Sequence, residues 1–113
     1  PILYALLGTL QDQGRADEVL AVLAEPLRLY PRDPKLHEAR AKAYASQGKR
    51  LLQHQAQAEV YLLQGSLPAA IEQLQLAQTS GDGDFYDHSV VDARLKQLRA
   101  EHAREMQDAK KRQ

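Results

Sequence analysis

Four histidines are the residues of this chain whose chemistry would be easiest to recognise, because histidine serves as a metal ligand and as an acid–base catalyst. They are His37, His54, His88 and His102, at spacings of 17, 34 and 14. A helical zinc site needs two histidines four positions apart, and no pair here has that spacing. His37 and Glu38 begin an HExxH pattern, but Ala41 stands where the second histidine would be. His37 and His54 are therefore predicted to pack with one polar tip hydrogen-bonded.

The sequence also gives little support for a catalytic nucleophile or for a calcium-binding site. The serines Ser46, Ser66, Ser80 and Ser89 lie outside any Gly-x-Ser-x-Gly elbow. The GDGD stretch at 81–84 is similar to a calcium loop, but the 12-residue ligand pattern with its terminal Glu is missing. Ser66 and Ser80 are better explained as cap and turn residues. No catalytic, cofactor-binding or metal-binding residue is predicted.

The composition argues against two classes of binding partner, nucleic acids and membranes. Lys plus Arg and Asp plus Glu both number 15, so no net field favours nucleic acid or an anionic membrane surface. The basic cluster Lys110 to Arg112 follows several acidic residues and is predicted to be a solvated helix end. Cysteine is absent, which excludes disulfides. The apolar runs are too short for the roughly 20 residues of a spanning helix, so no membrane insertion is expected.

The helices that would position any functional residues follow a repeating sequence pattern. The segment Tyr4 to Leu10 is followed by Gly14, and the segment His37 to Tyr44 is followed by Gly48, so the two glycines are 34 positions apart. This is the period of the tetratricopeptide repeat (TPR), in which helix–turn–helix pairs bury their apolar faces by stacking on neighbours. The predicted fold class is therefore all-α, a TPR-like helical repeat array forming an α-α superhelix.

The repeat then slips by one helix. Ala41, Tyr44 and Gly48 are matched only 17 positions later, half a repeat, by a second set of the same kind: Ala58, Tyr61 and Gly65. The helix between Gly48 and Gly65 is expected to serve both of its neighbours. About six helices result, the last one long, over residues 2–12, 16–29, 34–47, 50–64, 67–79 and 85–107.

Local signals set the expected helix ends. Asp33 followed by Pro34 predicts an N-cap and a first helical position, and Ser66 and Asp84 are predicted N-caps. Pro26 lies inside the second helix and predicts a kink near residues 24–27. Beyond Arg104 apolar anchors are few, and fraying is expected.

The whole of 1–113 is interpreted as a single TPR-like domain. Pro1 stands directly in a helical pattern with no initiator Met before it. The chain is therefore expected to be a fragment of a larger protein.

The predicted binding surface is the concave face. In TPR arrays the first helix of each pair lines a groove, and positions one step off the packing stripe read the ligand. Such a polar surface suits extended segments bound through hydrogen bonds and a few aromatic contacts. These positions are Tyr4, Gln11, Glu38, Lys42, Gln55 and Glu59. Ordinary exposed polar residues are the alternative interpretation.

The second half resembles a particular group of proteins. The matching elements are Ala58-Glu59 with Tyr61 and Gly65, Ala70-Ile71 with Leu74, and Asp92-Ala93-Arg94-Leu95 leading to Leu98-Arg99. They resemble the C-terminal TPR domain of periplasmic zinc metalloprotease-chaperones typified by the beta-barrel assembly-enhancing protease of Gram-negative bacteria. The resemblance implies a periplasmic location, an HExxH peptidase domain elsewhere in the protein that holds the zinc, and no catalysis in this fragment.

The same resemblance implies protein partners: unfolded outer-membrane proteins, the outer-membrane assembly machinery and the protein's own peptidase domain. The alternative is a stand-alone TPR adaptor of another envelope or secretion system, which an HExxH motif upstream of Pro1 would argue against. An autonomous enzyme is a distant third, since it would need a reactive cluster that the sequence lacks.

One long-range contact is also predicted. Glu59 would face the last helix, and Arg94 lies in the middle of that helix. The two are expected to form an interhelical ion pair with a structural role.

Overall fold

Six α-helices make up the computed structural model, which describes residues 2–112; Pro1 and Gln113 lie outside the described residues. The helices are α1 (Ile2–Asp12), α2 (Ala16–Leu29), α3 (Pro34–Ser46), α4 (Arg50–Leu63), α5 (Leu67–Gln78) and α6 (Phe85–Lys111). Within 2–112 there is no strand. The prediction of an all-α chain with six helices and a long last one is confirmed.

The helix ends agree closely with the sequence pattern, except at the C-terminus. Each of the first five helices begins at the predicted residue and ends at it or one residue earlier. The sixth helix, however, continues to Lys111, four residues past the predicted end, so the boundary predicted at residue 107 is wrong. Residues 103–111 contain no Gly or Pro, and Lys110 and Lys111 lie at the helix C-terminus, where positive charge is favourable.

The glycines of the repeat pattern form three matching turns. Gly14, Gly48 and Gly65 have φ of +69°, +72° and +84°, the left-handed conformation that glycine adopts without strain. In each turn the amide after the glycine donates to a carbonyl five residues earlier, over 2.9, 3.0 and 2.9 Å. This is the Schellman closure of a helix C-terminus. The repeated sequence therefore encodes a repeated backbone turn, at intervals of 34 and 17 residues.

The predicted N-caps have different outcomes. The Asp33 carboxylate accepts from the Lys35 amide, and Asp84 forms a reciprocal capping box with Asp87, so both caps are confirmed. Ser66 is at the N-cap position of α5, but its side chain makes no capping hydrogen bond. Arg15 and Lys49 precede their helices in a similar conformation, also without a cap bond. The glycine turn, not the serine, sets the start of α5.

Pro26 does not end its helix. α2 continues through it to Leu29, and the Tyr30 amide donates to the Pro26 carbonyl over 2.7 Å. Proline lacks the amide that would otherwise bond to the Val22 carbonyl, so one helical hydrogen bond is lost. The proline falls in the last turn and a half, which limits how much of α2 depends on that bond.

The core consists of two clusters, one in each half. The first unit (α1–α3) buries Leu7, Val19, Leu23 and Leu36, and the second unit (α4–α6) buries a larger set of side chains. That second set is Leu51, Ala58, Leu67, Ala70, Leu74, Ala77, Val91, Leu95 and Leu98. α3 and α4 pack closely and join the two units.

Helices pack almost entirely on their neighbours in the chain. Beyond consecutive pairs, α1 contacts α3 and α4 contacts α6, whereas within residues 2–112 α2 does not contact α4 and α3 does not contact α5. The molecule measures 51 × 33 × 20 Å with a radius of gyration of 15.5 Å. A compact domain of this length would have about 13 Å. The helices therefore form an elongated row instead of a closed bundle.

Candidate protein-binding cleft

A cleft of about 290 Å³ opens between α1 and α3 in the first unit. Four of the six residues predicted for the concave face line it. Their side chains project from matching sides of the two helices because α1 and α3 both pack on α2, which lies between them in the chain. The lining residues are Tyr4, Leu7, Gly8, Gln11, Asp12, Lys35, Glu38, Ala39 and Lys42.

Two hydrogen bonds connect α1 to α3. Near the start of both helices the Tyr4 hydroxyl donates to the carboxylate of Asp33, the N-cap of α3. Two turns further along, Gln11 Nε2 donates to the Ala39 carbonyl oxygen over 3.0 Å. These two bonds brace the cleft at its ends, so it is a defined feature of the fold.

Tyr4 has a second partner on α3. The Lys35 ammonium lies 5.1 Å from the centre of its ring, within cation–π range. The pKa of the Tyr4 hydroxyl is raised, first because it donates a hydrogen bond to Asp33 and then because of slight desolvation and the nearby negative charge. The hydroxyl therefore keeps its proton and stays a donor throughout the neutral range.

The cleft has an apolar floor and a charge-balanced rim. Leu7 is buried, Ala39 is half-buried, and Gly8 adds no side chain at all. The rim carries two ammonium groups and two carboxylates, those of Lys35, Lys42, Asp12 and Glu38. Their formal charges cancel, so the cleft offers no net attraction for an ion.

Gln55 and Glu59, the remaining two predicted residues, do not line this cleft. Both are half-buried on α4 in the second unit. Glu59 is already engaged with α6. The six predicted positions therefore divide into an open set on α1 and α3 and an occupied set on α4.

The structure brings Glu59 and Arg94 together across α4 and α6. Arg94 Nε donates to Glu59 Oε1 over 3.0 Å, and Arg94 Nη2 donates to Glu59 Oε2 over 3.2 Å. The side chains are 25% and 28% exposed for Glu59 and Arg94 respectively. A bidentate, partly desolvated pair of this kind fixes geometry as well as adding energy. In the second unit it occupies the place between first and third helix that the cleft occupies in the first unit.

On α3, His37 forms a hydrogen-bonded pair with Arg40. His37 is 8% exposed, and its Nε2 lies 2.7 Å from the Pro31 carbonyl oxygen, which can only accept. Nε2 must therefore carry the proton, and Nδ1 accepts from Arg40 Nη2 over 3.0 Å. Burial lowers the pKa of Arg40, while the charges of Tyr44 and Glu59 oppose this effect. The packed, hydrogen-bonded histidine was predicted, but its arginine partner was not.

His54 has a comparable arrangement in the second unit. Its Nδ1 lies 2.9 Å from Gln73 Oε1, across the α4–α5 interface. The predicted packing with one hydrogen-bonded tip is confirmed here as well. Among residues 2–112, no group of three or more His, Cys, Asp or Glu side chains is placed to hold a metal ion.

The glycine and aspartate loop before α6 has a structural function that the sequence did not reveal. Asp82 accepts from the Arg50 amide over 2.7 Å, from the Leu51 amide over 2.9 Å and from Ser80 Oγ over 2.8 Å. It thus caps the first turn of α4 from 32 residues away. Burial acts to raise the pKa of Asp82, but the bonds from Leu51, Ser80 and Arg50 outweigh it and leave that pKa below its usual value.

Gly83 lets this loop approach α4. Its φ is +84°, and a Cβ there would lie 2.7 Å from Leu51 Cδ1. His88 Nε2 also lies 2.7 Å from the Asp82 carbonyl oxygen, tying the loop to α6. The loop, α4 and α6 are therefore fastened together at one end of the second unit.

No protein-family model and no curated protein sequence matches the chain. Across residues 2–112, the helices are each too short or too polar to traverse a lipid bilayer.

Proposed function

We propose that this chain is a TPR-like domain that binds extended segments of other polypeptides in the cleft between α1 and α3. The observation that carries the proposal is an open cleft between α1 and α3 with a hydrogen bond between the two helices near each end. Tyr4 and Gln11 tie α1 to α3 at two points, and apolar surface stays open between these points. A cleft with an apolar floor and a few placed polar groups is the usual form of a recognition site.

Two features support the TPR-like part of the proposal. The Schellman turns at Gly14, Gly48 and Gly65 recur at 34 and 17 residues, one full repeat and one half repeat. Contacts between alternate helices join α1 to α3 and then α4 to α6, so the pattern shifts by one helix. A half-repeat slip at α4 accounts for both features, with α4 serving as the second helix of one pair and the first of the next.

A more specific role is proposed on the resemblance of residues 58–99. The chain would be the client-recognition domain of a periplasmic zinc metalloprotease-chaperone, itself non-catalytic, with the zinc and the HExxH motif in a separate peptidase domain. Its partners would be unfolded outer-membrane proteins, the outer-membrane assembly machinery and the peptidase domain. A stand-alone TPR adaptor of another envelope or secretion system is the second candidate. An HExxH motif upstream of Pro1 in the gene would favour the first.

Photo-crosslinking to a defined unfolded polypeptide tests polypeptide binding directly. A benzoylphenylalanine is placed at Lys42 in the cleft or, as a control, at Gln75, which is exposed on α5. The probe is fluorescein-labelled α-lactalbumin that has been reduced and carboxymethylated to keep it unfolded. We expect crosslinking from position 42 and little from position 75. Equal crosslinking from both positions, or none from position 42, would contradict the proposal.

The same variants test the specific role in an envelope extract. Mass spectrometry should identify barrel proteins or assembly components on the variant labelled at position 42 and not on the control. If the unfolded probe crosslinks but the extract yields only identified proteins of another system, the adaptor candidate is favoured.

A further inference from the structure

The outer face of α1 is the side of the helix formed by Ile2, Leu6 and Thr9. These residues are spaced by four and then three positions, so they lie along one stripe of the helix. Ile2 is 87% exposed, Leu6 is 44% exposed, and Thr9 is exposed as well. Among residues 2–112, no element therefore buries this stripe.

The repeat provides an equivalent face within the same chain. The 34-residue period relates Ile2 to Leu36 and Thr9 to Ala43, both on α3. Leu36 is 1% exposed and Ala43 is 0% exposed. Both belong to the core cluster of the first unit, in which α3 packs on α2, the helix before it. The repeat thus uses this face to stack a helix on the second helix of the preceding pair.

The outer face of α1 is at least as suitable for burial as the covered face of α3. Leu6 stands where α3 has Arg40, which is half-buried in spite of its charge. The Thr9 hydroxyl donates to the Ala5 carbonyl oxygen over 3.0 Å within α1. Covering the stripe would therefore leave no side-chain donor without a partner.

The two ends of the row of helices differ in charge. Repeat arrays end in units whose outer face is polar, since an apolar end would be exposed to water. α6 exposes Phe85 and Tyr86, but it carries a charged residue on every turn. α1 has no charged residue before Asp12, its last position. α6 therefore has the character of a terminal helix, and α1 has that of an internal one.

These observations together indicate what covers α1. We infer that the outer face of α1 packs against a helix equivalent to α2, which precedes Pro1 in the same polypeptide. That helix would present apolar side chains at the positions of Val19 and Leu23, the residues of α2 that lie in one cluster with Leu36. The inference rests on the TPR-like fold proposed above and concerns a surface separate from the α1–α3 cleft.

The full-length gene gives the first test. If the 34-residue period continues upstream, the equivalents of Val19 and Leu23 stand 16 and 12 positions before Pro1, and the equivalent of Gly14 stands 21 positions before it. We expect a helical pattern there with apolar residues at the first two positions. A gene that encodes no such helix would overturn the inference.

A tandem variant tests the surface itself. A copy of residues 14–34 is joined directly before Pro1 of the full chain, which places a second α2 before α1 at the spacing that α2 has before α3. Amide hydrogen exchange in residues 2–10 should slow at least about tenfold relative to wild type, because covering a helix face makes its local opening less favourable. Mass spectrometry measures the exchange, and circular dichroism checks that the helices are retained.

Two controls show whether the protection comes from this face. The first carries the same added segment with serine in place of the copied Val19 and Leu23. The second is Thr9→Lys in the tandem variant, which puts an ammonium group where the equivalent Ala43 is fully buried. Thr9 is exposed in the wild type, so Thr9→Lys without the added segment should melt as the wild type does.

Both controls should leave exchange in residues 2–10 at the wild-type rate. No slowing in the tandem variant, or equal slowing in either control, would overturn the inference. Crosslinking from position 42 does not depend on this face. Failure of the polypeptide-binding proposal and failure of this inference would therefore be seen in separate experiments.

Discussion

In both the first unit (α1–α3) and the second unit (α4–α6), the first and third helices contact each other. The side chains that bridge these two helices differ between the units. In the second unit the Glu59–Arg94 pair spans the two helices directly. In the first unit Tyr4 and Gln11 brace the helices at separate points and leave a cleft between them. The same arrangement of helices can thus give a sealed or an open surface, depending on a few side chains.

The difference extends to the cores. The second unit buries nine side chains in one cluster and is fastened by Asp82 at the start of α4. The first unit buries seven side chains in its cluster. Stability is therefore expected to come mainly from the second unit, whereas binding is proposed for the first.

Core truncation should give the largest contrast between the units. Leu74 is fully buried in the second cluster, and Leu10 is 6% exposed at the edge of the first. Leu74→Ala should lower the free energy of unfolding by about 3–5 kcal/mol, and Leu10→Ala by about 2–3 kcal/mol. Urea denaturation measures both. A larger loss for Leu10→Ala would reverse the proposed division of stability.

Removing the long-range cap should have the next largest effect. Asp82→Asn replaces a carboxylate that accepts from two amides of α4, and should lower the free energy of unfolding by about 1–2 kcal/mol at pH 7. The pKa of Asp82 is lowered in the folded chain, so its contribution is fully present above its unfolded pKa. That contribution is lost as the pH falls through the folded pKa.

The difference between wild type and Asp82→Asn should therefore shrink at acid pH. Urea titrations at pH 7 and at about pH 3, below the usual aspartate pKa of about 3.9, measure this change. A difference that stays constant or grows towards acid pH would mean that Asp82 does not stabilise α4 as a carboxylate.

The Glu59–Arg94 pair should contribute somewhat less, because both side chains are partly exposed. Glu59→Gln should lower the free energy of unfolding by about 1 kcal/mol, between the values of exposed and buried pairs. A double-mutant cycle with Arg94→Gln isolates the pair. Coupling near zero would show that the pair does not lock α6 onto α4.

Loss of a brace in the first unit should have the smallest effect on stability and a clear effect on binding. Tyr4→Phe removes only the hydroxyl that donates to Asp33 and keeps the ring beneath Lys35. The urea midpoint should change little, while affinity for the unfolded probe should fall because α1 and α3 are no longer tied together at that end of the cleft. Unchanged affinity would show that this brace does not determine the width of the cleft.

Helices and turns were largely predictable from the sequence because their signals are local. Gly14, Gly48 and Gly65 fix the turns through backbone conformation, and Asp33 with Pro34 marks a helix start within two residues. The end of α6 was placed too early. The prediction assumed that the helix needs buried apolar residues in order to continue. Helix propensity and the terminal lysines stabilise the last turns without them.

The candidate site was only partly predictable. Periodicity placed Tyr4, Gln11, Glu38 and Lys42 on one side of α1 and α3. The sequence also predicted the Glu59–Arg94 pair between α4 and α6, but it did not show that Gln55 lies outside the cleft. The partners of Tyr4 and Asp82 are 29 and more than 30 residues away and depend on how the elements pack against each other, which no short motif encodes. The spacing of Tyr4, Leu7 and Gly8 matches the repeat template and marks α1 as the first helix of a pair.

The row-like packing of the helices has a consequence for how the chain folds. Since the helices pack mainly on their neighbours in the chain, few long loops must close before native contacts form. Chains of this topology fold in microseconds to milliseconds. The α4–α5 hairpin, which carries the closest helix pairing and a glycine turn, is the natural nucleus, with the other helices adding outward on both sides. α1 would then be the last helix to join and the first to detach, so that amide hydrogen exchange would be fastest there.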